Sequence, residues 1–181
     1  VYTGESETSR SNEMIKPITL ADAPALYTWI EDDKSGSLGQ FLPFLREMKS
    51  LADEERFIAK MLAIPTVKMW TIRADDDTII GEMLLHSYDQ TAKTAKLGYW
   101  LARPFRRQGY TVRAITAVLQ EVDLTTVQIE AAADNFGSQA VALKAGFTQI
   151  GAQTGDDGKP ELVFEKRIKK EGVENGTSNL F

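Results

Sequence analysis

The chain predicts an α/β domain of the α+β kind, a single mixed and mostly antiparallel sheet of about seven strands covered by helices. Three observations carry this. Strand-like and helix-like runs alternate along the chain, three strands follow one another in its middle, and the last two strands share a Gly/Asp turn. A doubly wound parallel sheet would need a helix between every pair of strands. With 181 residues and 43% hydrophobic side chains, the chain is sized for one domain with a real core. That domain spans residues 14–170. The flanking stretches 1–13 and 171–181 are polar, lack hydrophobic periodicity and read as tails.

The elements follow in order. Met14 to Ile18 is a short strand. Thr19 with Asp22 three residues on is a capping-box pattern that opens a helix through Trp29. Gly36 to Pro43 reads as a loop. Ser50 and Asp53 repeat the capping pattern before a helical stripe of Phe57, Ile58, Met61 and Leu62. Val67 to Ile72, Thr78 to His86 and Ala95 to Ala102 are three successive strands, the first two joined by the turn Asp75-Asp76-Asp77. Val112, Ile115, Thr116 and Leu119 recur at helical spacing. Thr126 to Ala131 is a strand and Phe136 to Ala145 a helix, with Gly146 at its stop position. Phe147 to Ile150 and Leu162 to Ile168 close the domain across Gly155-Asp156-Asp157-Gly158. The order is β-α-α-β-β-β-α-β-α-β-β.

Composition narrows the chemistry. The sequence has no cysteine and one histidine, His86. Disulfides, thiol nucleophiles, thiolate metal sites and multi-histidine metal sites are thereby excluded, and no metal is expected. The net charge is −5, and no cluster of lysines and arginines marks a nucleic-acid surface. No apolar run is long enough to span a membrane, and residues 1–13 lack the apolar stretch of a signal peptide. A cytoplasmic protein is expected. The Asn175-Gly176-Thr177 triplet matches a glycosylation acceptor by chance.

The informative segment is Arg106-Arg107-Gln108-Gly109-Tyr110-Thr111, between a strand and a helix. The first amides of a helix have no partner within it, and the helix dipole favours negative charge there. A glycine lets backbone approach a phosphate closely, and successive amides can form an anion-binding nest. A pyrophosphate suits such a place; the plainer alternative is a solvated arginine pair beside a turn glycine. G-x-G-x-x-G, G-x-x-x-x-G-K-[ST] and G-x-S-x-G are all absent, which leaves Rossmann, P-loop and hydrolase-elbow chemistry unsupported.

The run G-Y-W-L-A-R-P-F-R-R-Q-G-Y, Gly98 to Tyr110, resembles the fourth strand and acetyl-CoA loop of the GNAT (general N-acetyltransferase) superfamily. Arg106 and Gly109 occupy the first and fourth positions of its [QR]-x-x-G-x-[GA] pattern. Asn135-Phe136-Gly137-Ser138, then Ala140-Val141-Ala142 and Gly146-Phe147, is similar to the N-x-x-S…G-F signature of the family. The closest resemblance is to the ribosomal-protein N-terminal acetyltransferases of the RimJ/RimL type, whose L-x-W-L-P-W…E-x-F-I region is similar to Gln40-Phe41-Leu42-Pro43-Phe44 with Glu54 to Phe57.

The resemblance implies a sheet splayed between its fourth and fifth strands, with acetyl-CoA as co-substrate and its pantetheine arm in the gap. The cofactor would lie against Leu101, Arg106, Arg107, Gln108, Gly109, Tyr110, Thr111, Asn135 and Ser138. The amides of Arg107 to Thr111 would hold the pyrophosphate, Asn135 the pantetheine arm, and Ser138 would act at the thioester sulfur as the catalytic residue. The acceptor is a primary amine, expected to be the α-amine of a protein or peptide N-terminus, and the family leaves room for a homodimer. Four positions depart from its pattern: Arg107 where many relatives have glycine, Thr111 where they have glycine or alanine, Lys96 where many carry a glutamate, and Ala142 where relatives outside the RimL branch often place a tyrosine acid. Lys96 and Ala142 keep a non-catalytic acyl-CoA-binding module open as an alternative, beside an acetyltransferase of small-molecule amines.

Other polar residues have bland explanations. His86 is a candidate base, but a lone strand histidine is more often structural. Glu82 and Glu130 read as strand-edge or surface carboxylates, and Asp75 to Asp77 as a solvated turn. Asp156 and Asp157 read as turn residues, near where relatives keep substrate-side acids. Trp29, Trp70 and Trp100 read as core or groove-lining.

Overall fold

The computed structural model describes residues 14–169; both expected tails lie outside them. The capping boxes form as expected. The Asp22 carboxylate accepts from the Thr19 amide at 2.8 Å, and Asp53 accepts from Ser50 at 3.0 Å. After strand β1 (Ile15–Pro17), the first box opens a 3₁₀ turn (Leu20–Asp22) that leads into α1 (Ala23–Asp33). The second opens α4 (Leu51–Leu62), whose Ile58 is fully buried while Leu62 faces solvent.

The stretch expected as a loop is largely helical. Two short helices, α2 (Ser37–Phe41) and α3 (Pro43–Arg46), lie between α1 and α4. They lack a capping side chain and are held by tertiary contacts, with Leu38 and Leu45 buried in the core beneath them.

Then come β2 (Lys68–Arg73), β3 (Ile79–Asp89), β4 (Thr94–Leu101), a 3₁₀ turn (Arg103–Phe105), α5 (Tyr110–Glu121), β5 (Thr126–Ala132), α6 (Phe136–Lys144), β6 (Thr148–Thr154) and β7 (Pro160–Arg167). The final hairpin pairs further than the sequence suggests, up to Thr154 opposite Pro160. In α5, Thr116 is not on the apolar stripe but points outward, its hydroxyl bonded to the Val112 carbonyl. Gly146 takes φ 85°, as a helix stop requires.

The sheet order is β1-β2-β3-β4-β5-β7-β6. Every pairing is antiparallel except β4 with β5. Because strand side chains alternate between faces, the sheet separates two cores. Leu97, Leu101, Val127, Ile129 and Ala131 face α5 and α6, while Trp100, Leu84 and Met69 face the layer of α1 to α4. Trp29 and Trp70 spend their indole N–H groups on the Ile79 carbonyl and Glu121, consistent with core roles. Among the described residues no helix is long and apolar enough to cross a membrane.

Candidate active site

The strands part where the resemblance implies. β4 and β5 pair only at Thr94–Thr126, Ala95–Val127 and Lys96–Gln128. Beyond that point β4 continues against β3 as far as Leu101, and β5 continues against β7 as far as Ala132. Gly98 lies on the parted stretch. A Cβ there would meet nothing within 4 Å, so the face of β4 that carries Lys96 and Trp100 is open between them.

The end of β4 leads into the expected anion loop. Arg107 and Gly109 take left-handed conformations, φ 63° and 82°, and Gly109 caps α5 without a side-chain bond. The first intrahelical bond from beyond the loop is Arg113 N–H to the Gly109 carbonyl, at 3.1 Å. The amides of Tyr110, Thr111 and Val112 are therefore the free donors of the helix start. At Gly109, too, an added Cβ would meet nothing within 4 Å. Backbone approach by an anion is unobstructed there, and left-handed geometry favours glycine at that position. Arg107 occupies the same conformation with a side chain, at a cost of about 1–2 kcal/mol.

Arg106 has a different geometry from the one its place in the motif suggests. Its Nε donates to the Leu101 carbonyl at 2.8 Å, Nη1 to Ser37 Oγ at 2.6 Å and Nη2 to Asp33 Oδ2 at 2.8 Å. Asp33 is only 4% exposed. Burial works against its ionisation, but the Arg106 guanidinium and the Ser37 hydroxyl outweigh it and hold the carboxyl below its usual range. The guanidinium thus clamps the loop to α1 and α2, and what the loop offers an anion comes from its amides.

On the α5/α6 side of the gap, Asn135 caps α6 by accepting from the Ser138 amide at 3.1 Å. The Tyr99 hydroxyl donates to the Ser138 carbonyl at 3.2 Å and lies 3.0 Å from Ser138 Oγ. Burial pushes the Tyr99 phenol up to about 12, against the hydrogen bond from Ser138, so it stays protonated and can donate. Sequence reasoning missed Tyr99. Its signal was the two-residue period of β4, which sets it on the face opposite Gly98 and Trp100. Ala142 is fully buried, and the hydroxyl partner of Ser138 comes from β4.

The opposite face carries a polar row. His86 pairs across the sheet with Lys96, and Lys96 with Gln128. Lys96 Nζ bonds Glu130 Oε1 at 2.5 Å. Burial, then the Lys96 charge, lowers the His86 imidazole below its usual value. Its Nδ1 lies 3.1 Å from Ser87 Oγ. A cleft of about 190 Å³ adjoins this row, lined by Ser87, Thr94, Lys96, Gln128 and Glu165 among others.

Glu82 is not a surface carboxylate. It is 5% exposed, facing the fully buried Glu54 of α4, whose carboxyl oxygens have no hydrogen-bond partner. It points inward because it shares a strand face with Leu84 and lies opposite Trp100. Glu130 is half-buried and paired. The aspartate runs are turn residues: Asp76 bonds the Thr78 amide and Asp157 the Lys159 amide.

An open mixed sheet, parted between its parallel strands beside the glycine-capped amino-terminus of a helix, defines an α/β class of protein. The chain belongs to the acetyltransferase (GNAT) domain family, whose model matches residues 14–148. It is 34% identical over 104 residues to YdaF of Bacillus subtilis (strain 168), provisionally named a ribosomal N-acetyltransferase, covering 53% of this chain and 57% of that protein. The chain spans about half the length of the curated relatives it matches. Among solved structures, the microcin C7 self-immunity acetyltransferase MccE, in complex with acetyl-CoA and AMP, superposes with a TM-score of 0.79 at 25% identity, covering 87% of this chain and 94% of that one. RimL, the ribosomal L7/L12 α-N-protein acetyltransferase in complex with coenzyme A, shares the fold with a TM-score of 0.78 at 21% identity, covering 85% and 93%.

Proposed function

We propose that the protein transfers the acetyl group of acetyl-CoA to a primary amine, with the α-amine of a protein N-terminus, on a ribosomal protein, as the acceptor. The observation that carries this is the unobstructed loop of free amides at the start of α5, beside strands that part next to Tyr99 and Ser138. MccE, which bears acetyl-CoA, supports the cofactor, and the relative named a ribosomal N-acetyltransferase supports the acceptor. A ribosomal-protein acceptor goes with a cytoplasmic location.

In this reading the amides from Arg107 to Thr111 hold the pyrophosphate, with Leu101 and Asn135 lining the way to the thioester. The amine must be neutral to attack. Its nitrogen lone pair forms the C–N bond to the thioester carbonyl carbon, the C–S bond breaks, the departing thiolate takes a proton from the Ser138–Tyr99 hydroxyl pair, the nitrogen gives its surplus proton to water, and the pair regains a proton from solvent, so that no net proton is left on the protein. Making a lysine side chain neutral at pH 7 costs about 4.6 kcal/mol, and an α-amine only about 1–1.4 kcal/mol. A site with Lys96 in place of a β4 carboxylate favours the less basic acceptor, because a nearby positive charge repels ammonium.

The test is direct. Acetyl-CoA at about 100 times its dissociation constant adds about 2.7 kcal/mol to stability, read as a thermal shift, and Gly109→Glu abolishes that shift by placing bulk and negative charge where phosphate must approach. With matched peptides, kcat/KM for the α-amine exceeds that for the ε-amine at neutral pH and rises with pH through the acceptor's own pKa. Absence of any cofactor interaction overturns the reading. Binding without turnover of any amine points to a non-catalytic module, and turnover restricted to small amines moves the acceptor class.

A further inference from the structure

The two faces of the parted strands differ in chemistry. Tyr99 and Ser138 lie on the α5/α6 face. On the other face, Lys96 is the last β4 side chain before the strands separate, and Glu130 is the first β5 side chain beyond the Lys96–Gln128 pair. By strand register Glu130 therefore stands across the opening from Gly98, where an added Cβ would meet nothing within 4 Å. A half-buried carboxylate beside an uncovered stretch of β4 is a receptor for a cation, and the protein already seats one there: the Lys96 ammonium rests on Glu130 Oε1.

We propose that Glu130 receives the amino group of the acceptor, on the face opposite Ser138, with Lys96 as an internal ammonium that holds the carboxylate in place until the acceptor arrives. This rests on the acetyltransferase reading above and adds to it the residue that selects and orients the amine. Lys96 from β4, Gln153 from β6 and, at longer range, His86 from β3 act on Glu130, and on adjacent β7 the carboxylates Glu161 and Glu165 share its face on either side of its partner Val163. Burial alone would raise its carboxyl, but the hydrogen bonds from Lys96 and Gln153 outweigh burial and hold it below the usual range. Glu130 is therefore ionised whenever an ammonium is present to be bound. Being a weak base, it orients the amine through a charge-assisted hydrogen bond and leaves removal of the proton to solvent, which again suits an α-amine. The Lys96 charge limits the site to one further cation, so acceptors with a second positive charge beside the amine are disfavoured.

The experiment compares the wild type, Glu130→Gln and Lys96→Met for acetyl-CoA affinity by calorimetry and for kcat and KM with an α-amine peptide across pH. A hydrogen bond to a charged group corresponds to about a tenfold or larger change in binding. Glu130→Gln is expected to raise the acceptor KM by about that factor and leave acetyl-CoA affinity unchanged. Its deficit should be greatest below the acceptor's pKa, where the acceptor is cationic. Lys96→Met, which frees the carboxylate, is expected to lower the acceptor KM. Equal losses in both variants would show that the pair only ties β4 to β5 and would overturn the proposal. An active wild type with Glu130→Gln unchanged would overturn it alone, whereas a wild type that neither binds nor turns over acetyl-CoA would overturn the acetyltransferase reading with it.

Discussion

Glu54 and Glu82 make the stability of this protein depend on pH in a direction unusual for carboxylates. Burial pushes the Glu54 carboxyl up to about 7. Burial, followed by the charge of Glu54, pushes Glu82 up to about 8, against a hydrogen bond from the Trp100 side chain. Both groups are near their ordinary value of 4.5 when the chain unfolds. The folded protein therefore keeps protons that the unfolded chain releases, and stability falls as pH rises from about 4.5 through 7 to 8 before levelling off. For Glu54 the rise from 4.5 to about 7 corresponds to about 3 kcal/mol. Glu54→Gln removes the ionisation and keeps the shape. Urea unfolding followed by tryptophan fluorescence should find the variant close to wild type at pH 5 and more stable by about 2–3 kcal/mol at pH 8. A stability difference that is the same at both pH values would refute the reasoning, since it would mean that Glu54 titrates as a solvated carboxyl.

Two further predictions follow from the loop and the hydroxyl pair. Arg107→Gly relieves a left-handed side-chain position and should stabilise the protein by about 1 kcal/mol, or about 2–4 °C in Tm; a lowered Tm in thermal melts would show that the arginine side chain makes compensating contacts. Ser138→Ala and Tyr99→Phe should each lower kcat while leaving acetyl-CoA affinity nearly unchanged, because a proton supplied to the leaving thiolate acts only in the transition state. Turnover equal to wild type in both would return the pair to the capping and packing of α6.

Local chemistry made much of the fold legible. The two capping boxes, the three central strands and the stop at Gly146 are written in residues a few positions apart, and each forms as its spacing predicts. Helices α2 and α3 were illegible for the opposite reason. Ser37 is held to Arg106, 69 residues away, and neither helix has a capping side chain of its own. The glycine-capped start of α5 could be read from Arg106 to Thr111, but the direction of Arg106 could not, because Asp33 joins it only through the tertiary fold. The same limit hid Tyr99 and misplaced Glu82. A two-residue period tells which side chains share a face; which helix covers that face is decided by chain tracing far from the strand. Lys96 looked like the loss of a negative charge. The structure shows a negative charge within reach on the neighbouring strand.

The clamp of Arg106 on Asp33 and Ser37 joins the two halves of the site mechanically. The loop at the start of α5 and the short helix beginning at Ser37 share one guanidinium, and Asp33 is too deeply buried to lose its partner cheaply, since stranding such a charge costs about 3–5 kcal/mol. A ligand that stiffens the loop must therefore also stiffen the helical layer over the other face of the sheet. In the proposed acetyltransferase reading, an acyl donor bound at the loop therefore stiffens the surface that the acceptor meets. Acceptor affinity measured with and without the donor would display that coupling.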